Sequence, residues 1–209
     1  MDPRLRPLFG RTAVRVSLAE QMPVGASLHA ALEALSGDPM DAETAVRVHA
    51  LWAKLESRIA ARKMVAANDA TNGIRDQLVQ PSPGDEAEML AAQELACSTH
   101  LPYATARNQL GLVHRVDLCL PQSWEALDRG DLSLAHLKAV DRATQNCTAT
   151  ITEVVDAQVV RLAIERGWTP SETGRAATKM VLAMNPEGAA ERADAAKRAA
   201  DVRFYPQPD

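Results

Sequence analysis

Aromatic side chains are almost missing: two Phe, two Tyr and three Trp make up 3% of 209 residues. Strands of sandwiches and barrels draw on aromatic and β-branched residues, so this scarcity argues against an all-β fold. Cysteine is scarce too. Cys97, Cys119 and Cys147 are odd in number and form no C-x-x-C pair, which excludes a disulfide framework and fits a reducing compartment, so the expected location is cytoplasmic. No apolar run is long enough to cross a bilayer, and no apolar segment follows the arginines near the start. The chain is therefore expected to be neither secreted nor membrane-spanning. Nor is there a large excess of one charge: 23 basic residues stand against 27 acidic ones, a net charge of -4. Any nucleic-acid contact must then come from a local patch.

What the chain has instead is alanine, 38 residues of it. With 46% hydrophobic and 24% charged residues this is a globular composition, and the alanines favour closely packed helices. The fold expected is all-α, a multi-helix bundle with a long N-terminal helix, a helix-turn-helix-like central hairpin and a short C-terminal strand without a partner. Its length allows one domain or two small ones.

Along the chain, Met1 to Val16 carries Arg4, Arg6, Arg11 and Arg15 and reads either as a solvated tail or as a basic arm on phosphate. Val24 to Leu35 is a short apolar-periodic stretch ending at Ser36-Gly37, and Asp38-Pro39 then offers a cap and an opening proline. The long helix is expected from about Met40 to Thr71, with Val48, Trp52, Leu55 and Ile59 on one stripe. Lys54, Arg58 and Arg62 share a neighbouring face, read as solvated or as facing phosphate.

Gln80-Pro-Ser-Pro-Gly84 cannot continue a helix, which divides the chain into an arm at 1–80 and a helical domain at 85–200, with 201–209 the start of something further. Within the second part, Asp85 with Glu88 reopens a helix. Pro102 and Pro121 mark first helical turns, Gly130 and Gly167 mark stops, and Ser133 caps a segment through Gln145. Thr150 with Glu153 and Thr169-Pro170-x-Glu172 read as capping boxes. A segment from Pro186 to Ala200 reads as an exposed helix, and Val202 to Tyr205 alternates like a strand.

Chemistry-bearing motifs are few. Cys97-x-x-His100 and His114-x-x-x-x-Cys119 imitate a zinc-ligand count, but residues five apart on a helix point about 140° away from each other. No metal site is expected; Cys97 and Cys119 are read as small core residues and His100 as a turn residue. None of the motifs G-x-S-x-G, H-E-x-x-H or G-x-x-x-x-G-K-[ST] occurs, and paired carboxylates such as Asp85/Glu86 suit a helix N-terminus. No enzyme activity, no cofactor and no small-molecule substrate are expected.

The most informative stretch runs from Leu95 to Leu110. Leu95 and Ala96 end one helix, and Ala106, Leu110 and Val113 form the buried stripe of the next. Tyr103, Arg107, Asn108 and Gly111 then share the outward face, where arginine can fork onto guanine and asparagine onto adenine. Arg115, further along, would reach a phosphate. A plain helical hairpin in the core is the competing reading, because His100 stands where such turns usually carry glycine.

The segment Trp124-Glu125-Ala126-Leu127-Asp128-Arg129-Gly130-Asp131-Leu132-Ser133-Leu134-Ala135-His136 is preceded by that hairpin. Thr169-Pro170 and Asn185-Pro186-Glu187-Gly188-Ala189-Ala190-Glu191-Arg192 follow it. Together these segments resemble the actinobacterial 13E12-repeat family, over nearly the whole chain. The family is defined by a domain of unknown function, and in longer members, often associated with mobile elements, that domain precedes an HNH endonuclease. The His-Asn-His signature is missing here, so the resemblance does not carry nuclease activity over. The hairpin, Leu120-Pro121 and Gly130-x-Leu132-Ser133-x-x-His136 also resemble, more weakly, the helix-turn-helix region of ParB-type partition proteins. The locally basic outward face and these resemblances together lead to duplex DNA as the expected partner, with Tyr103, Arg107, Asn108 and Gly111 in the major groove and Arg115 on phosphate. A homodimer along the long helix is a further expectation. The alternative is a helical interaction or dimerisation scaffold that touches no nucleic acid, its partner being the nuclease half that longer family members carry.

Overall fold

Helix starts and stops follow from short-range chemistry at most boundaries of the chain. A computed structural model describes residues 6–78, 86–184 and 186, and among these it contains nine helices and no strand. In order they are α1 (Arg6–Ala19), α2 (Ala26–Glu33), α3 (Ala42–Gln77), α4 (Glu86–Thr99), α5 (Tyr103–Cys119), α6 (Pro121–Arg129), α7 (Leu134–Thr144), α8 (Ala149–Arg166) and α9 (Pro170–Met184). The all-α architecture with one dominant early helix is as the composition predicts. Among the described residues no helix is long and apolar enough to cross a membrane. The linker at 80–84, the helix expected at 186–200 and the strand expected at 202–205 lie outside the described residues, Pro186 alone excepted.

The long helix α3 spans 36 residues, about 54 Å at 1.5 Å per residue. It starts later than the sequence suggests. Asp41 is its cap, accepting from the Thr44 N–H at 2.8 Å, while Asp38 is taken by the guanidinium of Arg15 on α1. That pair also corrects the reading of the N-terminal arginines as a tail. Residues 6–19 are helical, and Val16 and Ala19 are buried against α2 and α3.

The first half of α3 packs Leu51 and Leu55 with Leu28, Leu32 and Leu35 beneath α1 and α2. Its second half enters two other clusters. Ala67 meets Ala91, Ala92, Leu110 and Val113 of α4 and α5, and Ala61 joins the central core of Val116, Leu120, Leu127, Leu137, Val140, Val155, Val159, Ala177 and Val181. Small residues at these crossings let helix axes approach closely. Ile59, expected on the buried stripe, is instead exposed.

Gly130 shows how tight one crossing is. It closes α6 in the left-handed region at φ 76°, and a Cβ there would lie 2.9 Å from the Lys54 Cβ and carbonyl oxygen. Around it Arg58 donates to the Asp128 carbonyl at 3.3 Å, and Arg62 lies 3.2 Å from the Asp128 carboxylate. The Arg58 and Arg62 face of α3 thus seats the C-terminal turn of α6, with Arg58 half-buried there while Lys54 and Arg62 stay exposed as the solvated reading expects.

Four polar ties fasten the second half. Asp156 of α8, fully buried, accepts from the Gln122 N–H at 2.8 Å, the Ser123 N–H at 3.1 Å and the Ser123 hydroxyl, so it caps α6 from a neighbouring helix. Burial pushes its carboxyl above the ordinary aspartate range, against the pull of those three donors. His136 closes a capping box with Ser133 and meets the Trp168 carbonyl through Nε2 at 2.8 Å. The bond from the Ser133 N–H to Nδ1 places the ring proton on Nε2, which then donates to Trp168. Thr169 and Glu172 form the expected box on α9, but α8 is capped by Thr148 rather than by Thr150.

Candidate nucleic-acid interface

The hairpin of α4 and α5 is built by a turn that satisfies its own backbone. The Leu101 N–H bonds back to the Ala96 carbonyl at 3.0 Å and the His100 N–H to the Cys97 carbonyl at 3.5 Å, which is the Schellman pattern. The residue that must then turn left-handed is His100, at φ 54°, whereas the other left-handed positions among the described residues are the glycines Gly37, Gly130 and Gly167. Pro102 follows in extended geometry as the residue before α5, and it offers no side-chain acceptor to the N–H groups of the first turn. No acidic residue stands in that turn, so the positive end of α5 is open to an anion.

Helical geometry sorts the side chains of α5. Taking Ala106 as zero at about 100° per residue, Leu110 and Val113 fall within about 40° of it, and all three are buried. Arg107, Gly111 and Asn108 fall at about 100°, 140° and 200°, while Tyr103 sits nearest the buried stripe at about 60°. Arg107 and Asn108 are exposed, Tyr103 is 38% exposed, and Gly111 is half-buried with open space where a Cβ would stand. Tyr103, Arg107 and Asn108 are therefore all solvent-exposed within two helical turns, with Arg107 between the other two, but Tyr103 and Asn108, five residues apart, point about 140° away from each other and do not share one face.

Arg115 is placed differently. Its Nε donates to the Asp141 carboxylate at 2.5 Å, its Nη1 reaches the Gln145 carbonyl at 3.4 Å, and its Nη2 is buried without a partner. Eight residues beyond Arg107, about 12 Å along the axis, the outward face of α5 has run under α7. The sequence reading assigns no role to Asp141; only the packing of α7 against the C-terminal half of α5 reveals it as the partner of Arg115.

No family model matches the chain. Searches of curated proteins and of solved structures return no match either. The site must be read from its own geometry.

The residues that imitate zinc ligands are dispersed. Cys97 is exposed rather than part of the core, Cys119 is half-buried, and His114 faces Glu88 of α4 with Nδ1 at 3.5 Å from the carboxylate. Among the described residues no group of three His, Cys, Asp or Glu side chains could hold an ion. The pair of His114 and Glu88 instead ties α4 to α5 across the hairpin.

Proposed function

We propose that the chain is a non-enzymatic DNA-binding module in which the first two turns of α5 enter the major groove. The supporting observation is the exposure of Tyr103, Arg107 and Asn108 on a helix that packs into the protein through Ala106, Leu110 and Val113. In this reading Arg107 forks onto guanine and Asn108 onto adenine, Gly111 lets a groove wall come close, and the uncapped start of α5 receives a phosphate. Arg115 joins the interface by exchanging Asp141 for a phosphate oxygen. The resemblance to the 13E12-repeat family points the same way, and the three free cysteines suit a reducing cytoplasm.

The test is a fluorescence titration against a pool of duplexes at low salt. Replacing Arg107 and Asn108 together with alanine should cost about 1–3 kcal/mol for each base contact removed. Asp141→Asn, which releases Arg115, should tighten binding and steepen its salt dependence. Identical curves for wild type and the Arg107/Asn108 variant would remove the assignment.

A second reading, a dimerisation scaffold without nucleic-acid contact, draws on exposed Val46 and Ile59 along α3. A concentration-dependent dimer that ignores DNA would favour it.

A further inference from the structure

Where α7 and α9 cross, Gly174 lies so close to Ala139 that an added Cβ would meet the Ala139 Cβ at 3.3 Å. To one side of this crossing the helices leave a shallow open groove lined by Ala139, Ala143 and the half-exposed Leu182. Its charged lining is of one sign. Arg142 of α7 and Arg175 and Lys179 of α9 all face it, Ser171 and Thr178 add hydroxyls, and no carboxylate lines it.

None of the three cations has an ion-pair partner among the described residues, although most arginines of the neighbouring helices do. Glu172, the carboxylate one turn before Arg175, is occupied as the cap of α9 by the Thr169 N–H and hydroxyl. Arg175 and Lys179 stand four residues apart on one face, a like-charge spacing that costs an isolated helix a few tenths of a kcal/mol. The Glu172 carboxylate attracts Arg175 from one turn away but forms no ion pair with it.

We propose that this groove is a second binding site, for the phosphodiester backbone of nucleic acid. Arg175 and Lys179 are about 6 Å apart along the helix axis, comparable with the step between adjacent phosphates of one strand. Arginine matches a phosphate with its planar fork, lysine acts as a point charge, and hydroxyls donate to phosphate oxygens. The site does not depend on the base-reading role of Arg107 and Asn108, because backbone contacts fix position without reading sequence.

The experiment is fluorescence anisotropy of the full chain with a labelled duplex, titrated from about 50 to 200 mM salt. The triple variant Arg142→Gln/Arg175→Gln/Lys179→Gln should bind more weakly and lose about 2.7 from the slope of log K against log salt, roughly 0.9 per contact. Arg142→Lys/Arg175→Lys, which keeps the charge, should retain the slope. Far-ultraviolet circular dichroism should be the same for all three proteins, since each replaced side chain is exposed. An Arg107→Ala/Asn108→Ala protein, run alongside, separates the two surfaces. If it binds like wild type while the triple variant fails, the groove stands and the α5 reading falls. Wild-type slope and affinity in the triple variant would overturn the groove proposal, as would wild-type protein that binds an acidic peptide more tightly than the duplex.

Discussion

The α4–α5 hairpin and the α6–α9 half meet the same structural demand, short helices joined by tight left-handed turns, and they meet it with different materials. In α6–α9 polar groups work inward: Asp156 caps α6 from α8, His136 joins the start of α7 to the Trp168 carbonyl, and glycine occupies both left-handed turns. In α4–α5 the buried contacts are mostly alanine, from Ala87, Ala91, Ala92 and Ala106, and the left-handed residue is a histidine. The only ion pair seen between these two helices is that of His114 and Glu88. The contrast teaches where a recognition surface can arise. A hairpin packed mainly through small apolar residues leaves Arg107 and Asn108 exposed, whereas in α6–α9 the inward ties use up some polar groups and leave Arg142, Arg175 and Lys179 outside.

Removing the strongest inward tie should give the largest effect. Asp156→Ala leaves the buried Ser123 N–H and hydroxyl and the partly buried Gln122 N–H at the start of α6 without their acceptor, a loss of about 3 kcal/mol. For a chain of this size that lowers Tm by roughly 6–12 °C, read by thermal circular dichroism. A shift below about 2 °C would mean that α6–α9 is held by shape as well, and the comparison would break.

A smaller effect of opposite sign is expected at the other hairpin. His100→Gly relieves the left-handed strain at φ 54°, against a more flexible unfolded chain, and should stabilise by about 0.5–1 kcal/mol in urea unfolding. It should leave binding to DNA unchanged if the turn only joins the helices. Destabilisation would show that the imidazole makes a contribution the turn geometry does not explain.

The smallest effect is a pH slope. Burial raises the Asp156 carboxyl above its ordinary value of 3.8, so the folded chain binds that proton more tightly than the unfolded one. Between the ordinary and the raised value its contribution to stability therefore falls as pH rises, and it is flat above both. The caps Asp41 and Glu172 behave oppositely. Hydrogen bonds from Thr44 and Thr169 lower them, so their contribution is present above the ordinary value and is lost as pH falls through the lowered one. Urea unfolding of wild type and Asp156→Asn across acidic pH isolates the first term. A wild-type advantage over Asp156→Asn that grows with pH would reverse the sign assigned here.

Much of the helical framework was legible from local signals. Gly130, Gly167, Ser133, Pro121 and the box of Thr169 with Glu172 act over three or four residues, and each stands where the sequence places it. The buried stripe of Ala106, Leu110 and Val113 followed from helical period alone. The errors at helix starts have one cause. Asp38 and Asp41, like Thr148 and Thr150, are nearly equivalent as caps, and the choice between the two aspartates rests on whether Arg15 takes one of them. For the candidate site, exposure of Tyr103, Arg107 and Asn108 was legible as the complement of that stripe. Engagement of Arg115 by Asp141 was not, because 26 residues separate the two and only helix packing joins them.

The chain by itself determined that it would be helical, where most helices begin and end, and which side of α5 would be apolar, because propensity, caps and period are properties of a few neighbouring residues. Tertiary structure alone decided which cations remain available. A charge is neutralised by whatever lies within a few ångströms in space, so Arg58, Arg62 and Arg115 were claimed by Asp128 and Asp141, while Arg107, Arg142, Arg175 and Lys179 were left facing solvent.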